Sequence, residues 1–84
     1  MLLRKNEITK KELKEGIYLK LHIHISDDNN KDIINNDLEF LYNKDSEAVF
    51  YSEAFYQSVI RGLKMEKVKD LMTLITKQIV KDYS

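Results

Sequence analysis

The sequence lacks several residue types on which small domains often depend. Its 84 residues include no Cys, no Pro and no Trp, and Gly16 and Gly62 are the only glycines. The absence of Cys excludes a disulfide scaffold, a thiolate zinc site and a cysteine nucleophile, and small secreted domains usually need such disulfides. We therefore expect a cytoplasmic protein. With so little Gly, the chain also has no glycine-rich loop that could hold a phosphate group.

The chain has no excess of charge of either sign, because 14 Lys and Arg balance 14 Asp and Glu. Proteins that bind nucleic acid or anionic membranes constitutively usually carry a basic excess, so this balance disfavours both classes. No apolar run approaches the roughly 20 residues of a membrane span, and no hydrophobic segment typical of a signal peptide follows Met1. We expect a soluble protein with one small globular domain over residues 1–84.

Residues 17–25 show the clearest pattern in the chain. Apolar and polar side chains alternate there without a break, and a period of two is typical of a half-buried β-strand. The predicted strand buries one face. Its other face carries Tyr18, Lys20, His22 and His24 and is open to solvent or to a partner.

The segments on either side of this strand are predicted as a helix and a loop. Thr9 and Glu12 have the spacing of a helix capping box, and Gly16 follows where a helix C-cap is expected. This pattern predicts a short N-terminal helix. The polar stretch over 26–37 is rich in Asp and Asn, which is typical of a solvated loop.

Residues 38–43 and 47–51 favour a hairpin of two further strands, since aromatic and β-branched residues concentrate there. The alternative is one long helix from Asp45, because apolar residues also recur at a spacing near 3.6. Those residues are Ala48, Tyr51, Phe55, Val59 and Leu63. The hairpin is preferred because Ser52 offers a new helix N-cap after it.

The C-terminal third predicts two helices, over 52–61 and 65–82. Its apolar residues fall into two stripes that would lie almost opposite each other on one continuous helix. The first stripe is Phe55, Tyr56, Val59, Ile60 and Leu63, and the second is Met65, Val68, Leu71, Met72, Ile75 and Ile79. A break at Gly62 would let both stripes face one core, so we predict the break there.

Together these elements predict an α+β fold in the order α-β-β-β-α-α. A short N-terminal helix precedes a three-stranded antiparallel sheet over 17–25, 38–43 and 47–51, and the two C-terminal helices pack on one sheet face. This order is similar to the layout of some small phage anti-CRISPR proteins, which act by occupying a partner's surface. The resemblance is one of layout alone and implies a class of small inhibitory or adaptor proteins.

His22 and His24 are the most suggestive pair for metal binding, because residues two apart on a strand share a face. Two imidazoles there could chelate a zinc ion if Glu39 on a neighbouring strand supplied a third ligand. An ordinary solvent-exposed strand face can also carry two His residues, and the sequence offers no Cys and no third His to complete a metal site. We therefore predict no metal and no other cofactor.

A second possible metal site resembles the calcium loop of EF-hand proteins. Asp28, Asn30, Asp32 and Glu39 reproduce its ligand spacing, but Ile33 stands where the loop needs Gly. A strand also precedes the loop, where the family has a helix. A solvated turn-rich loop is the preferred interpretation.

The sequence contains no motif for nucleophilic or phosphate chemistry, so we predict no catalytic residues and a protein that is not an enzyme. The leading hypothesis is a protein-binding module, for example a phage or mobile-element inhibitor or regulator. Its candidate partner-binding residues are Tyr18, Lys20, His22, His24 and Tyr51. The alternative is a small nucleic-acid-binding regulator that uses Arg4, Lys5, Lys10, Lys11, Arg61, Lys64, Lys67 and Lys69.

The last helix also predicts self-association. Its apolar residues recur at spacings of three and four, as in helices that pack along their whole length. The preceding helix is predicted to be much shorter, which leaves Ile79, Val80 and Tyr83 without a neighbour. We predict a homodimer that buries this end of the helix.

Overall fold

The computed structural model describes the backbone of residues 1–84 and every side chain except that of Ser58. Four strands are followed by one π-helical turn and one long helix: β1 (Leu2–Leu13), β2 (Gly16–Ser26), β3 (Asp32–Asn43), β4 (Ala48–Tyr51), the π-helical turn (Phe55–Val59) and α1 (Met65–Tyr83). The strands form one antiparallel sheet in the order β1-β2-β3-β4. The predicted order α-β-β-β-α-α is therefore wrong, and the similarity of layout to anti-CRISPR proteins is lost with it.

The strand predicted over 17–25 is confirmed as β2, which lies between β1 and β3. Its alternation decides which side of the sheet becomes the core, because Leu19, Leu21, Ile23 and Ile25 are all fully buried. The polar residues between them lie on the opposite face. A strand that is paired on both sides and covered on one needs this period of two.

The predicted N-terminal helix is wrong, because residues 2–13 form the edge strand β1. Thr9 and Glu12 do not cap a helix. Thr9 instead follows a β-bulge between Glu7 and Thr9, and Glu12 pairs with Ile17. The short helix would have had few tertiary contacts, whereas pairing with β2 satisfies the backbone along the whole length of β1.

Gly16 does not end a helix either but begins β2 directly after the β1–β2 turn. A Cβ at this position would lie 2.6 Å from the carbonyl oxygen of Tyr42, at a φ of 151°. The close approach of two backbones, and not a helix cap, therefore requires glycine here.

The predicted loop over 26–37 is also wrong in extent, since β3 already begins at Asp32. The turn is short because Asp27 organises it. Its Oδ1 accepts hydrogen bonds from the backbone amides of Asn29 and Lys31, both at 2.9 Å. Asn30 takes a positive φ of 61°, which Asn tolerates better than most residues.

The hairpin predicted from 38–43 and 47–51 is confirmed as the end of β3 and the short strand β4. The long helix from Asp45 does not form. The side chain of Asn43 accepts hydrogen bonds from the amides of Asp45 and Ser46, which stabilises the turn between the strands.

The helix predicted over 52–61 is wrong, because only the π-helical turn Phe55–Val59 forms there. Phe55 is fully buried and anchors the segment to the core. The Ser52 side chain does not act as an N-cap, and its buried Oγ has no hydrogen-bond partner among the described residues. The predicted break at Gly62 is confirmed, and this residue takes a φ of 83°.

The last helix, α1, is close to its predicted bounds and covers the buried face of β2 and β3. Its buried residues are Val68, Leu71, Ile75 and Ile79. Ile79 is covered by the protein's own sheet, and Tyr83 reaches β1, where its hydroxyl donates to Glu7 Oε1 at 2.9 Å. The homodimer through this helix end stays a prediction, but Ile79 is buried and Val80 and Tyr83 are partly buried within one copy of the chain.

The core lies between α1 and one face of the sheet. Besides the residues of β2 and α1 it contains Ile34, Leu38, Phe40, Tyr42 and Phe55. Within the described chain, no helix is long and apolar enough to cross a membrane. The fold is thus a two-layer α+β arrangement in which a single long helix covers one side of a four-stranded sheet.

Candidate binding surface

The sheet has one face that no helix covers in the part of the chain that the structure describes. We call it the open face. Residues paired across neighbouring strands share a face, so the register of the sheet defines its members. They are Leu2, Arg4, Asn6, Thr9, Lys11 and Leu13 on β1, Tyr18, Lys20, His22, His24 and Ser26 on β2, Asp32, Asn35, Asp37, Glu39, Leu41 and Asn43 on β3, and Ala48 and Phe50 on β4.

A chain of hydrogen bonds crosses the middle of the open face. His22 Nδ1 lies 2.7 Å from Asp37 Oδ1, and His22 Nε2 lies 2.7 Å from Asn35 Oδ1. Asn35 Nδ2 then points to Asp32 Oδ2 at 3.5 Å, and the other oxygen of Asp32 lies 2.6 Å from His24 Nε2. Five side chains on β2 and β3 are therefore held in one connected arrangement, which we call the histidine network.

The histidine network favours a protonated His22. Both of its ring nitrogens face an oxygen acceptor, and only the imidazolium can donate from both. The hydrogen bond to Asp37 raises the pKa of His22, with a smaller contribution from Asn35. Correspondingly, the hydrogen bond from His24 lowers the pKa of Asp32. The centre of the open face therefore gains positive charge as the pH falls towards the acid side of neutrality.

One end of the open face is apolar. Leu13, Tyr18, Leu41 and Phe50 lie there, one on each strand in order, and we call them the apolar band. Phe50 is 57% exposed, which is unusual for a side chain of its size. Beside it lies a shallow pocket of about 240 Å³, lined by Tyr18, Glu39, Phe40, Leu41, Phe50, Tyr51 and Ser52.

Tyr18 connects the apolar band to the charged part of the face. Its hydroxyl donates to Glu39 Oε2 at 2.6 Å, and this hydrogen bond raises the pKa of Tyr18. The Tyr18 ring forms one wall of the pocket. An apolar surface with a few fixed polar groups at its margin is the usual composition of a binding site.

Of the five predicted partner-binding residues, four share the open face and one does not. Tyr51 lies on the helix side, where its hydroxyl donates to the carbonyl oxygen of Met72 at 2.8 Å and contacts Thr76 Oγ1 at 2.7 Å. Burial raises its pKa to about 12. Tyr51 contributes to the pocket wall but mainly joins β4 to α1. Its neighbour Phe50 takes the exposed position.

The predicted basic residues do not form one patch. Arg4 and Lys11 lie on the open face, but Lys5 and Lys10 lie on the other face, over the ring of Tyr83. Lys5 Nζ also pairs with Asp82 Oδ2 at 2.8 Å. Arg4 and Lys11 are opposite His24 and Tyr18, which are six residues apart on β2, or about 20 Å.

The second basic cluster lies at the far end of the helix layer. Arg61 and Lys64 belong to the segment before α1, and Lys67 and Lys69 lie in its first turns. Lys67 is close enough to Asp27 to contribute to the lowered pKa of that carboxyl, after the larger effect of its backbone hydrogen bonds. Lys67 is thus near the acidic β2–β3 turn, whereas Lys10 lies over the ring of Tyr83 at the other end of α1.

Neither of the two metal arrangements considered from the sequence is assembled. Glu39 bonds to Tyr18 and not to the histidines. Asp28 lies near the N-terminal amino group at 3.5 Å, while Asp32 is bonded to His24, so the EF-hand spacing does not form a loop around one point. Among the described residues, no group of three His, Asp or Glu side chains is placed to hold a metal ion.

Comparisons with known proteins leave the open face as the main guide to function. The chain matches no protein-family model, no curated protein and no solved structure. No activity or ligand can therefore be transferred from a relative.

Sequence reasoning missed the acceptors of the histidine network and the apolar band. Asp32, Asn35 and Asp37 were assigned to a loop, so their position beside β2 was not considered. The available signal was partial, because Ile34 continues the apolar positions 38, 40 and 42 upstream, but the polar Asn36 interrupts the alternation.

Proposed function

We propose that the protein is a small non-enzymatic protein-binding module of the cytoplasm, which binds its partner through the open face of the sheet. It would act as an inhibitor or regulator by occupying the partner's surface. The single observation that supports this proposal most is the combination of an ordered polar network and an exposed apolar band on one uncovered sheet face.

The two parts of the open face have complementary roles in such binding. The apolar band supplies area that gains from being removed from water, at about 25 cal/mol per Å². The histidine network supplies fixed donors and acceptors, whose order lowers the entropy lost on binding. Phe50 is the expected anchor, because exposed aromatic residues next to a pocket frequently dominate binding energy.

The test compares two exposed apolar residues at different locations. Phe50→Ser removes the anchor from the apolar band, and Met65→Ser is the matched control, since Met65 is 69% exposed at the start of α1. Tagged wild-type and variant proteins are used to capture partners from the source cell. The proposal expects a partner that is retained by Met65→Ser and lost with Phe50→Ser. Equal capture by all three proteins would contradict it.

Nucleic-acid binding through the Lys and Arg clusters is the weaker proposal, because these residues lie on different faces and some are paired with carboxylates. It has a simple test. Binding to generic duplex and single-stranded nucleic acid is measured at low and at moderate salt, and phosphate-driven binding must weaken steeply as salt rises. Absence of binding at low salt would remove this alternative.

A further inference from the structure

The open face carries an ordered arrangement of charge across its strands. Its fixed cations are Arg4 and Lys11 on the edge strand β1 and Lys20 on β2, whereas its carboxylates all lie on β3. The carboxylates are Asp32, Asp37 and Glu39. One side of the face is therefore basic and the other acidic, with β2 between them.

This arrangement is complementary to itself under one particular rotation. If a second copy is stacked face to face about a two-fold axis parallel to β2, then β1 of each copy lies over β3 of the other. Arg4 is level with Asn35 in the sheet register, between Asp32 and Asp37, so it would lie over the acidic strand of the second copy. A two-fold axis across the strands would instead place β1 over β1, with like charges opposed.

The apolar end of the open face is carried onto itself by the same rotation. An axis parallel to β2 keeps every residue at its own level along the strands, so the apolar end meets the apolar end. Tyr18 would face its own copy, and Leu41 would lie over Lys11 of the second copy, next to Leu13, while Phe50 on β4 would lie beyond the edge strand of that copy. The rotation across the strands would separate the two bands to opposite ends of the assembly.

The histidines do not oppose this arrangement. They lie on β2, close to the axis, as Lys20 does, and each would approach the same residue of the second copy. Lys20 is level with Glu39 on its own β3, so each copy has a carboxylate beside this pair of like charges. His22 and His24 are each already paired with a carboxylate of their own β3, at 2.7 and 2.6 Å. Their charge is thereby balanced within each copy before the two faces meet.

The size of the face is compatible with a dimer of moderate affinity. The 12-residue strands β1 and β3 are about 40 Å long, and three long strands span about 14 Å. The flat area is then about 600 Å² for each copy, close to the roughly 800 Å² per partner of a standard interface. A face of this size and polarity fits a dimer whose population depends on concentration.

We propose that the open face binds a second copy of this chain, in a face-to-face dimer whose two-fold axis runs parallel to β2. The proposal rests on the proposed function, because it names the partner of the same face. It also assigns the dimer to a different surface from the helix end that the sequence suggested.

The experiment uses charge reversal at two positions that the rotation brings together. Arg4→Glu opposes a new carboxylate to Asp32 and Asp37 of the second copy, and Asp37→Lys opposes a new cation to Arg4. Each variant alone is expected to raise the dimer Kd by about tenfold or more, as measured by sedimentation over micromolar to millimolar concentrations. An equimolar mixture of the two variants is expected to regain the dimer, because both contacts then join opposite charges.

Two controls carry the same changes of charge on the exposed side of α1. Lys69→Glu matches Arg4→Glu, and Asp70→Lys matches Asp37→Lys. Both are expected to dimerise like the wild type. Circular dichroism melts of all variants establish that each is folded, so that a lost dimer reflects the interface.

Three outcomes would overturn the proposal. The wild type could stay monomeric at every concentration, the dimer could be unaffected by both reversals, or the mixture of weakened variants could fail to restore it. The capture experiment with Phe50→Ser separates this failure from that of the proposed function. A monomer whose captured partner depends on Phe50 would overturn the dimer and leave the binding module supported.

Discussion

Replacing Leu21 with Ala tests the assignment of the two sheet faces. Leu21 is fully buried in the central strand β2 and is paired with Leu38 under the helix. The change removes the apolar contacts of the deleted atoms and leaves a cavity that the packed layers cannot fill, so we expect a loss of about 2 to 4 kcal/mol in the free energy of unfolding. Domains have an unfolding free energy of roughly 0.05 to 0.15 kcal/mol per residue, which gives about 4 to 13 kcal/mol for all 84 residues.

The assay is urea unfolding at a low protein concentration, where self-association adds nothing to the measured stability. A loss of this size also corresponds to a decrease of about 10 to 30 °C in Tm. Lys20→Ala is the control, because Lys20 is the adjacent residue on the same strand and lies on the open face. It should change the unfolding free energy by no more than about 0.5 kcal/mol. Similar losses for both variants would mean that β2 is buried on both faces, and the reasoning would be refuted.

Three further predictions concern single positions. Gly16→Ala should lower the unfolding free energy by about 1 to 3 kcal/mol in the same urea assay, since its Cβ would lie 2.6 Å from the Tyr42 carbonyl oxygen; an unchanged midpoint would contradict this. By NMR titration His22 should have a pKa above its usual 6.5, and Asp37→Asn should lower it. Because that pKa is raised in the folded state, the stabilisation is fully present below pH 6.5 and is lost as the pH rises through the folded value, so stability rising over this range would refute the assignment. Tyr51→Phe should lower the unfolding free energy by about 1 kcal/mol, because the hydrogen bond to α1 is lost; an unchanged stability would mean that this hydroxyl is exposed to solvent.

The parts of the fold that sequence predicted well are those with a long, regular apolar pattern. β2 and α1 have periods of two and of three to four, and both were placed to within about a residue or two of their bounds. Gly62 was identified as a break because two apolar stripes could not face one core without it. In each case the spacing of the apolar residues alone identifies the buried side, so the prediction did not depend on tertiary contacts.

The edge strand β1 could not be predicted in the same way. Most of its side chains are exposed, so its sequence carries no strong alternation, and the Thr9 and Glu12 spacing offers a competing local signal. Its structure is decided by pairing with β2 and by the contacts of Lys5 with Asp82 and Tyr83. Lys5 is far from Asp82 and Tyr83 in the sequence, so local propensity gives no information about these two contacts.

The candidate surface was predicted for one strand and missed for its neighbours. Tyr18, Lys20, His22 and His24 follow from the alternation of β2 alone. Whether Phe50 or Tyr51 faces the open side depends on the register of a strand of only four residues, and a shift by one residue exchanges the faces.

The histidine network supports a binding role more strongly than the mere exposure of the face does. A sheet face that only meets water needs polar side chains of almost any kind, and the edge strand β1 meets that need with separate Arg, Asn, Thr and Lys residues. On β2 and β3, five side chains are instead connected to one another by hydrogen bonds within a partly exposed surface. Ordering them costs conformational entropy, about 0.5 to 1.5 kcal/mol for each side chain that a partner would otherwise have to immobilise. Since that cost is already met in the free protein, a partner that binds the open face gains contacts without ordering it, and a merely solvated face would gain nothing from the same arrangement.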